Sequence, residues 1–439
     1  MREKLITFYR SLKLKNKLTI YGSLEDKISY YHLAAFVILL PFDRFYSELV
    51  LISFLVHVAI HITPDKLKRA FSIETLVSSS VFFISVVGVI YSQDRSEGLQ
   101  DLQKSLGIIL FPILLACCGL DLKKYATNLL LIFCFTCVLT VAYLYLDALH
   151  IIVYNKLPLS TLFTGAFINH NFSEPIGLHA TYFAMYCGVS ESILFYLFLV
   201  ETRKSNRFMY LLALCVLLAG LLQLASRAVL ISGVVVALSF PFLLSKRAGK
   251  THVFAIVAGV LMIAGILIVN ISSFRMRYVA QLKEDLTQQS INNEVLEPRI
   301  LRWEYIVGEI KRAPLIGYGT GSENKVLNRM YFDNKLYNSY LHDLNSHNQY
   351  LGFLVETGIW GLLLFLCTLI IGLIAAVRQK NLFFLSFLII VSIVSFSENI
   401  LETNKGIFFY SFFFSLFILS GKPFEEVFRF KRRSRPNLN

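Results

Sequence analysis

Twelve long apolar runs constrain this chain more than anything else in it. They lie near 29–42, 47–62, 74–91, 99–119, 126–148, 178–200, 208–225, 227–244, 251–271, 349–377, 381–397 and 405–420 of 439 residues. A run of about 20 apolar residues is long enough to cross a bilayer as a helix. Charged residues make up only 16% of the chain, against about a quarter in a soluble domain, and mean hydropathy is +0.61. The expected fold is therefore an all-α membrane protein of about twelve transmembrane helices. The first two runs are short, with Asp43, Arg44 and Glu48 between them. A shallow hairpin is the alternative to two full spans there, and it leaves the sidedness of everything after it unchanged.

Charge sets that sidedness. With the N-terminus in the cytoplasm, the inner segments hold 26 of the 42 Lys and Arg, and the short outer segments hold six: Arg44, Arg95, Lys104, Lys156, Arg227 and Lys405. This is a positive-inside bias. The remaining ten lie in 272–348, and long loops translocate largely regardless of charge. The net charge of +13 is thus a topology signal, and nucleic acid is not an expected partner. The organisation that follows is a basic amphipathic cytoplasmic lead-in (1–28), a bundle of about nine spans (29–271), a large outer loop (272–348), three last spans (349–420) and a basic cytoplasmic tail (421–439). No cleavable signal peptide is evident, so the first span reads as an uncleaved anchor. All seven cysteines lie in apolar runs, as small packing residues do.

Several polar residues stand out against this background. Arg227 sits between two apolar runs with almost no linker, where it either marks a tight turn or faces a cavity and binds an anion. His347 and Asn348 precede an apolar run on the outer side, with His342 and Asp343 just upstream. A neutral imidazole there is able to accept a proton from a hydroxyl, and a plain helix cap is the alternative. Arg299 and Arg302 precede Trp303 and a stretch with Gly317, Gly319 and Gly321. That stretch is either a phosphate cradle or a glycine-rich turn, and no Gly-Lys-Ser/Thr follows it. Residues 299–312 place Ile300, Trp303, Ile306, Val307 and Ile310 on one helical face, which expects a helix lying on the membrane or on the bundle. His170 and His179 flank the sixth run without metal-ligand spacing, so no metal is expected. His57, Asp147 and Glu191 are isolated ionisable groups in or near apolar runs.

Four stretches together resemble the O-antigen ligase superfamily, which includes O-antigen and exopolysaccharide polymerases. They are Ser226-Arg227, Arg299 and Trp303 followed by Pro314 to Gly321, Ser346 to Leu351 followed by Glu356-Thr357-Gly358 and Gly361, and His179 to Phe183 with Ala180 where some members carry Pro. The resemblance implies a GT-C-like glycosyltransferase with a partly helical periplasmic loop, in the bacterial inner membrane. It needs neither metal nor nucleotide cofactor, because the undecaprenyl diphosphate carrier is itself the activated leaving group. It implies a carrier-linked glycan as donor and the lipid A core, or another glycan, as acceptor. Arg227 and Arg299 are then expected to clamp the diphosphate, with Arg302 as a further candidate and Arg275 and Arg277 drawing in the head group. His347 is the expected base, Asn348 or Asp343 orients it, and His179 lines the acceptor side. The rivals are a polymerase of the same superfamily, a protein O-glycosylating relative, and a transporter or flippase.

Overall fold

The computed structural model describes residues 20–243, 250–283 and 297–421. Most of the expected amphipathic lead-in and all of the basic tail beyond Gly421 lie outside the described residues. Each of the apolar runs falls on one helix. The first nine are α1 (Leu24–Leu39), α2 (Arg44–Ile60), α3 (Ile73–Ile90), α4 (Arg95–Cys117), α5 (Leu122–Tyr154), α6 (Ala180–Val200), α7 (Lys204–Leu224), α8 (Arg227–Leu243) and α9 (Lys250–Asn270). The large loop carries α10 (Arg299–Arg312) and α11 (Glu323–Asp333), and the last three runs are α12 (Gln349–Arg378), α13 (Leu382–Val394) and α14 (Asn404–Ser420). No strand occurs among the described residues.

Among these, seven helices are long and apolar enough to cross a membrane: α3 to α7, α9 and α12. The chain is a multi-pass membrane protein. The other five are shorter. At 1.5 Å per residue, α1 (16 residues) and α2 (17 residues) reach about 24–26 Å, less than the ~30 Å hydrocarbon core. They pack on one another as a hairpin. His57 is spent on that pairing, with Nε2 3.0 Å from Ser29 Oγ.

Two helices form the centre. A helix that is apolar all round has no face for solvent and belongs inside. In α14, Phe409, Phe412, Phe413, Phe414 and Phe417 are all fully buried. Its rings meet Phe133 of α5 (Phe413, 4.7 Å between centroids) and Tyr186 of α6 (Phe409, 4.7 Å). Most of α6 is likewise buried. Tyr182 and Tyr186 of α6 donate to Asn399 O (3.3 Å) and Lys405 O (2.9 Å) around the start of α14.

The glycine-rich stretch is a packing device. Gly317, Gly319 and Gly321 all have positive φ (66°, 95° and 78°). A methyl group on Gly319 would overlap the Ser92 backbone between α3 and α4, and one on Gly321 would overlap Gly98. The stretch bridges to α12, where Tyr318 N donates to Val355 O (2.8 Å), Gly319 N to Glu356 O (2.7 Å) and Gly321 N to Glu356 Oε1 (2.7 Å). Helix α12 yields to it at Gly358, whose φ of 63° breaks the helical path. Of the two readings of this stretch, the structure supports the turn.

The apolar face of α10 covers a small core of the loop. Ile306 packs with Leu327, Met330 and Tyr331 of α11 and Val355 of α12, joined by Trp303 and Ile310; Val307 stays exposed. The helix thus lies on the bundle. Ahead of it, Glu297 accepts from Asn338 N (3.1 Å), Ser339 N (2.8 Å) and Ser339 Oγ (2.6 Å).

Two expectations follow. Gly319→Ala should destabilise the protein by about 3 kcal/mol or more through positive φ and overlap, lowering the melting temperature in detergent. Gly308→Ala, in open space on α10, should leave it unchanged or slightly higher. For Glu297, burial raises the carboxyl, but the Ser339 and Asn338 bonds outweigh it and hold the group below its ordinary value. A carboxyl depressed in the folded state stabilises above its unfolded pKa and loses that as pH falls through the folded one. Hydrogen exchange at Asn338 and Ser339 should therefore quicken only below about pH 4, whereas Glu297→Ala should show quick exchange at neutral pH.

Candidate active site

Four helices begin at one end of the bundle: α6, α8, α12 and α14. A helix start carries positive partial charge from the helix dipole. Several ionisable residues lie at or just ahead of these starts.

Glu398 lies in the connection from α13 to α14 and is 9% exposed. Its Oε1 accepts from Thr181 Oγ1 at 3.3 Å, and its Oε2 lies 3.5 Å from His347 Nδ1. Burial would raise this carboxyl. The His347 contact, together with the nearby His179 and Arg299, outweighs burial, and the net effect is downward. Glu398 is thus a buried carboxylate kept ionised by its neighbours.

His347 has φ +46°, and its side chain is 27% exposed. With Nδ1 facing a carboxylate, the proton belongs on Nδ1 and the lone pair on Nε2. That is the tautomer a general base needs. Asn348 does something different: its Oδ1 caps α12 by accepting from Tyr350 N (3.0 Å) and Leu351 N (3.2 Å). The helix-cap alternative for this pair therefore belongs to Asn348, and His347 is left to the open side. Asp343 is exposed and accepts from Asn328. The carboxylate beside His347 is Glu398, and not Asp343.

His179 caps α6, its Nδ1 accepting from Thr181 N at 3.3 Å. Its ring centroid is 4.1 Å from that of His170. Burial lowers the His179 pKa to about 4; His170, His347 and Arg299 act in the same direction, against Glu398. His179 is therefore neutral at physiological pH, with Nε2–H as a donor. Burial, and then Arg277, also lower His170. Among the described residues, no three His, Cys, Asp or Glu are disposed to hold a metal ion.

The arginines divide. Arg299 opens α10, donates to Ser397 O at 2.9 Å, and acts electrostatically on both Glu398 and His179. Arg302 is buried, donates to Asn345 O at 3.4 Å, and acts on the Tyr331 hydroxyl inside the loop core. It supports the turn that carries His347 from behind. Arg227 opens α8, half-buried, and shares influence over Tyr278 with Arg277. Arg277 bonds Gln281 Oε1 (2.9 Å) and the amide oxygen of Asn169 (3.1 Å), and its charge reaches His170. Arg275 points away, exposed, with Nη1 3.4 Å from Val269 O. One continuous set results: Arg227, Arg277, His170, His179, Glu398, His347 and Arg299. Beside it, Ile168, Ala225, Phe274 and Tyr278 pack into a small buried cluster.

Glu398 was not legible as a site residue. Its only sequence signal is that two carboxylates and two asparagines, Glu398, Asn399, Glu402 and Asn404, sit between two apolar runs.

Compared with curated proteins, the chain gives no match. Residues 210–366 match the sequence profile of the family described as O-antigen ligase. The matched stretch includes Arg227, Arg299, Arg302 and His347; His179 and Glu398 lie outside it. Over residues 210–366, the chain carries a domain of the O-antigen ligase family.

Proposed function

We propose that this protein is an O-antigen ligase: it moves a glycan from undecaprenyl diphosphate to a sugar hydroxyl of the lipid A core. In this reading the His347 end of the bundle opens on the periplasmic side of the inner membrane, and both termini lie in the cytoplasm. The positive-inside count supports that orientation. The observation that carries the function is the His347–Glu398 pair set among Arg227, Arg277 and Arg299.

The chemistry follows from the charges. Nε2 of His347 takes the proton of the acceptor hydroxyl as its oxygen attacks the anomeric carbon. The bond from that carbon to the carrier diphosphate breaks, and the diphosphate departs with the electron pair. Attack opposite the leaving group inverts the anomeric centre. Glu398 stabilises the imidazolium that forms. Arg227 and Arg299, with Arg277, receive the growing negative charge, because guanidinium stays charged and binds phosphate oxygens bidentately. His179 offers Nε2–H to an acceptor hydroxyl. Metal independence is part of the proposal. The assignment of 272–348 as the catalytic loop now extends to the α13–α14 connection.

The test is a purified assay with a carrier-linked glycan and lipid A core. His347→Ala should abolish transfer; full activity would remove the base assignment. Glu398→Gln should lower kcat about 100-fold or more, in the range of a lost acid–base partner, with a small change in donor KM. Arg227→Lys and Arg299→Lys should each cost about 10-fold or more, because Lys keeps the charge and loses the bidentate fork; wild-type rates would exclude that mode of binding. If transfer occurs only to a second carrier-linked glycan, the protein is a polymerase instead.

A further inference from the structure

The turn that carries His347 is strained and unusually well braced. A non-glycine residue at φ +46° persists only where its surroundings over-determine it. Here they do so with side chains from four elements. Trp303 Nε1 donates to Ser346 O at 2.8 Å, and Arg302 Nη1 to Asn345 O at 3.4 Å. Ser346 N donates to Glu323 Oε1 at 2.7 Å. His347 N donates to Asn345 Oδ1 at 3.0 Å, and Asn348 N to Asn399 Oδ1 at 2.6 Å.

Behind these contacts the amides converge on two carboxyl groups. Asn399 Nδ2 faces Glu323 Oε1 (3.4 Å) and Oε2 (3.3 Å), and also bonds Glu402 Oε1. Asn345 Nδ2 donates to Glu402 Oε2 at 2.9 Å. Glu323 is 4% exposed and Asn399 2%. Two like charges at such a site cannot both persist in low dielectric.

We propose that Glu323 and Glu402 act as one acid–carboxylate pair, sharing a single proton, whose role is to position His347. The proposal rests on the reading of His347 as the base. Glu323 accepts from Ser346 N and Asn399 Nδ2, and Glu402 from Asn399 Nδ2 and Asn345 Nδ2. Glu402 carries the proton and donates it toward Glu323. Burial, then Glu323, then Glu356 all push Glu402 well above the ordinary carboxyl range, against the bond from Asn399. Neither residue touches substrate; both are positioning residues. The charged and titratable groups around the pair are Asp101 and Lys104 of α4, Tyr182 of α6, Tyr331 of α11 with Arg302 behind it, and Glu356 of α12.

The sign of the pH effect is fixed by that arrangement. A carboxyl whose folded pKa is raised favours the folded turn while protonated, and that contribution is lost as pH rises through the folded pKa. The rate should therefore carry an alkaline limb that belongs to the pair.

The experiment uses the full-length protein in detergent or nanodiscs, with carrier-linked glycan and acceptor. Glu402→Gln replaces a neutral acid by a neutral isostere; it should keep kcat within about 3-fold and flatten the alkaline limb. Glu323→Gln replaces one acceptor oxygen by an amide that donates; it should lower kcat roughly 10- to 100-fold, as a buried donor left unpaired does. Donor KM should change little, and Ser346 and Asn348 amides should exchange faster. Equal effects of the two substitutions, or an unchanged alkaline limb in Glu402→Gln, would overturn the pairing. Should Glu323→Gln fail to fold, the pH profile of Glu402→Gln decides alone. Active His347→Ala would remove the base reading, while exchange at Ser346 and Asn348 would still report on the brace.

Discussion

A carboxylate buried between two central helices cannot stay ionised unless its surroundings hold it so. Glu398 meets that condition through His347, His179 and Arg299, and the arrangement of this end of the bundle follows from it. The position of Glu398 is set by α14, which is buried on nearly all sides at the centre. Any residue just before α14 is carried to the centre as well. The same logic places His179 ahead of α6, the other central helix. The two groups meet because the helices that carry them are both buried at the centre of the bundle.

The large loop is locked to the bundle on its far side by the glycine stretch. Gly319 and Gly321 let backbone approach backbone at the α3–α4 junction, and Gly358 bends α12 to receive it. This clamp sits a few residues from α11, whose first residue is Glu323. Loop, clamp and brace are therefore one mechanical unit, and the turn at His347 is referred to α3, α4 and α14. A base must be held to a fraction of an ångström to be useful, and a 77-residue loop (272–348) without such fastening would not hold it.

Much of this was legible from residues alone, and the failures have physical causes. Apolar runs predict helices well because length and composition suffice, and all twelve fall on helices. They predict spans less well. Helix α13 has only 13 residues, and α14 is apolar because it is internal, which hydropathy cannot distinguish from lipid exposure. Arg227, Arg299 and His347 stand out in the sequence because a polar or charged group beside an apolar run is conspicuous. Glu398 was missed because its partners come from 51 or more residues away in chain order, as His347 and Thr181 do. Asp343 was chosen for the opposite reason: it is near in sequence, although its side chain turns to Asn328.

The remaining problem is the sign of the field. On the proposed reading, a departing diphosphate must be stabilised beside a region that holds Asp101, Glu323, Glu356, Glu398 and Glu402, with Lys104 the cation among them. Were all five ionised, their field would raise the energy of the leaving group and offset part of what the arginines supply. Burial works against this by favouring the neutral acid, and it does so selectively. Glu398 is held below its ordinary range chiefly by the His347 contact, with Arg299 adding to it, while Glu402, facing another carboxyl, is pushed well above it. The result is a negative charge where an imidazolium needs it and near-neutrality behind. The protonation state of the acids is therefore as much a part of the proposed site as the arginines are.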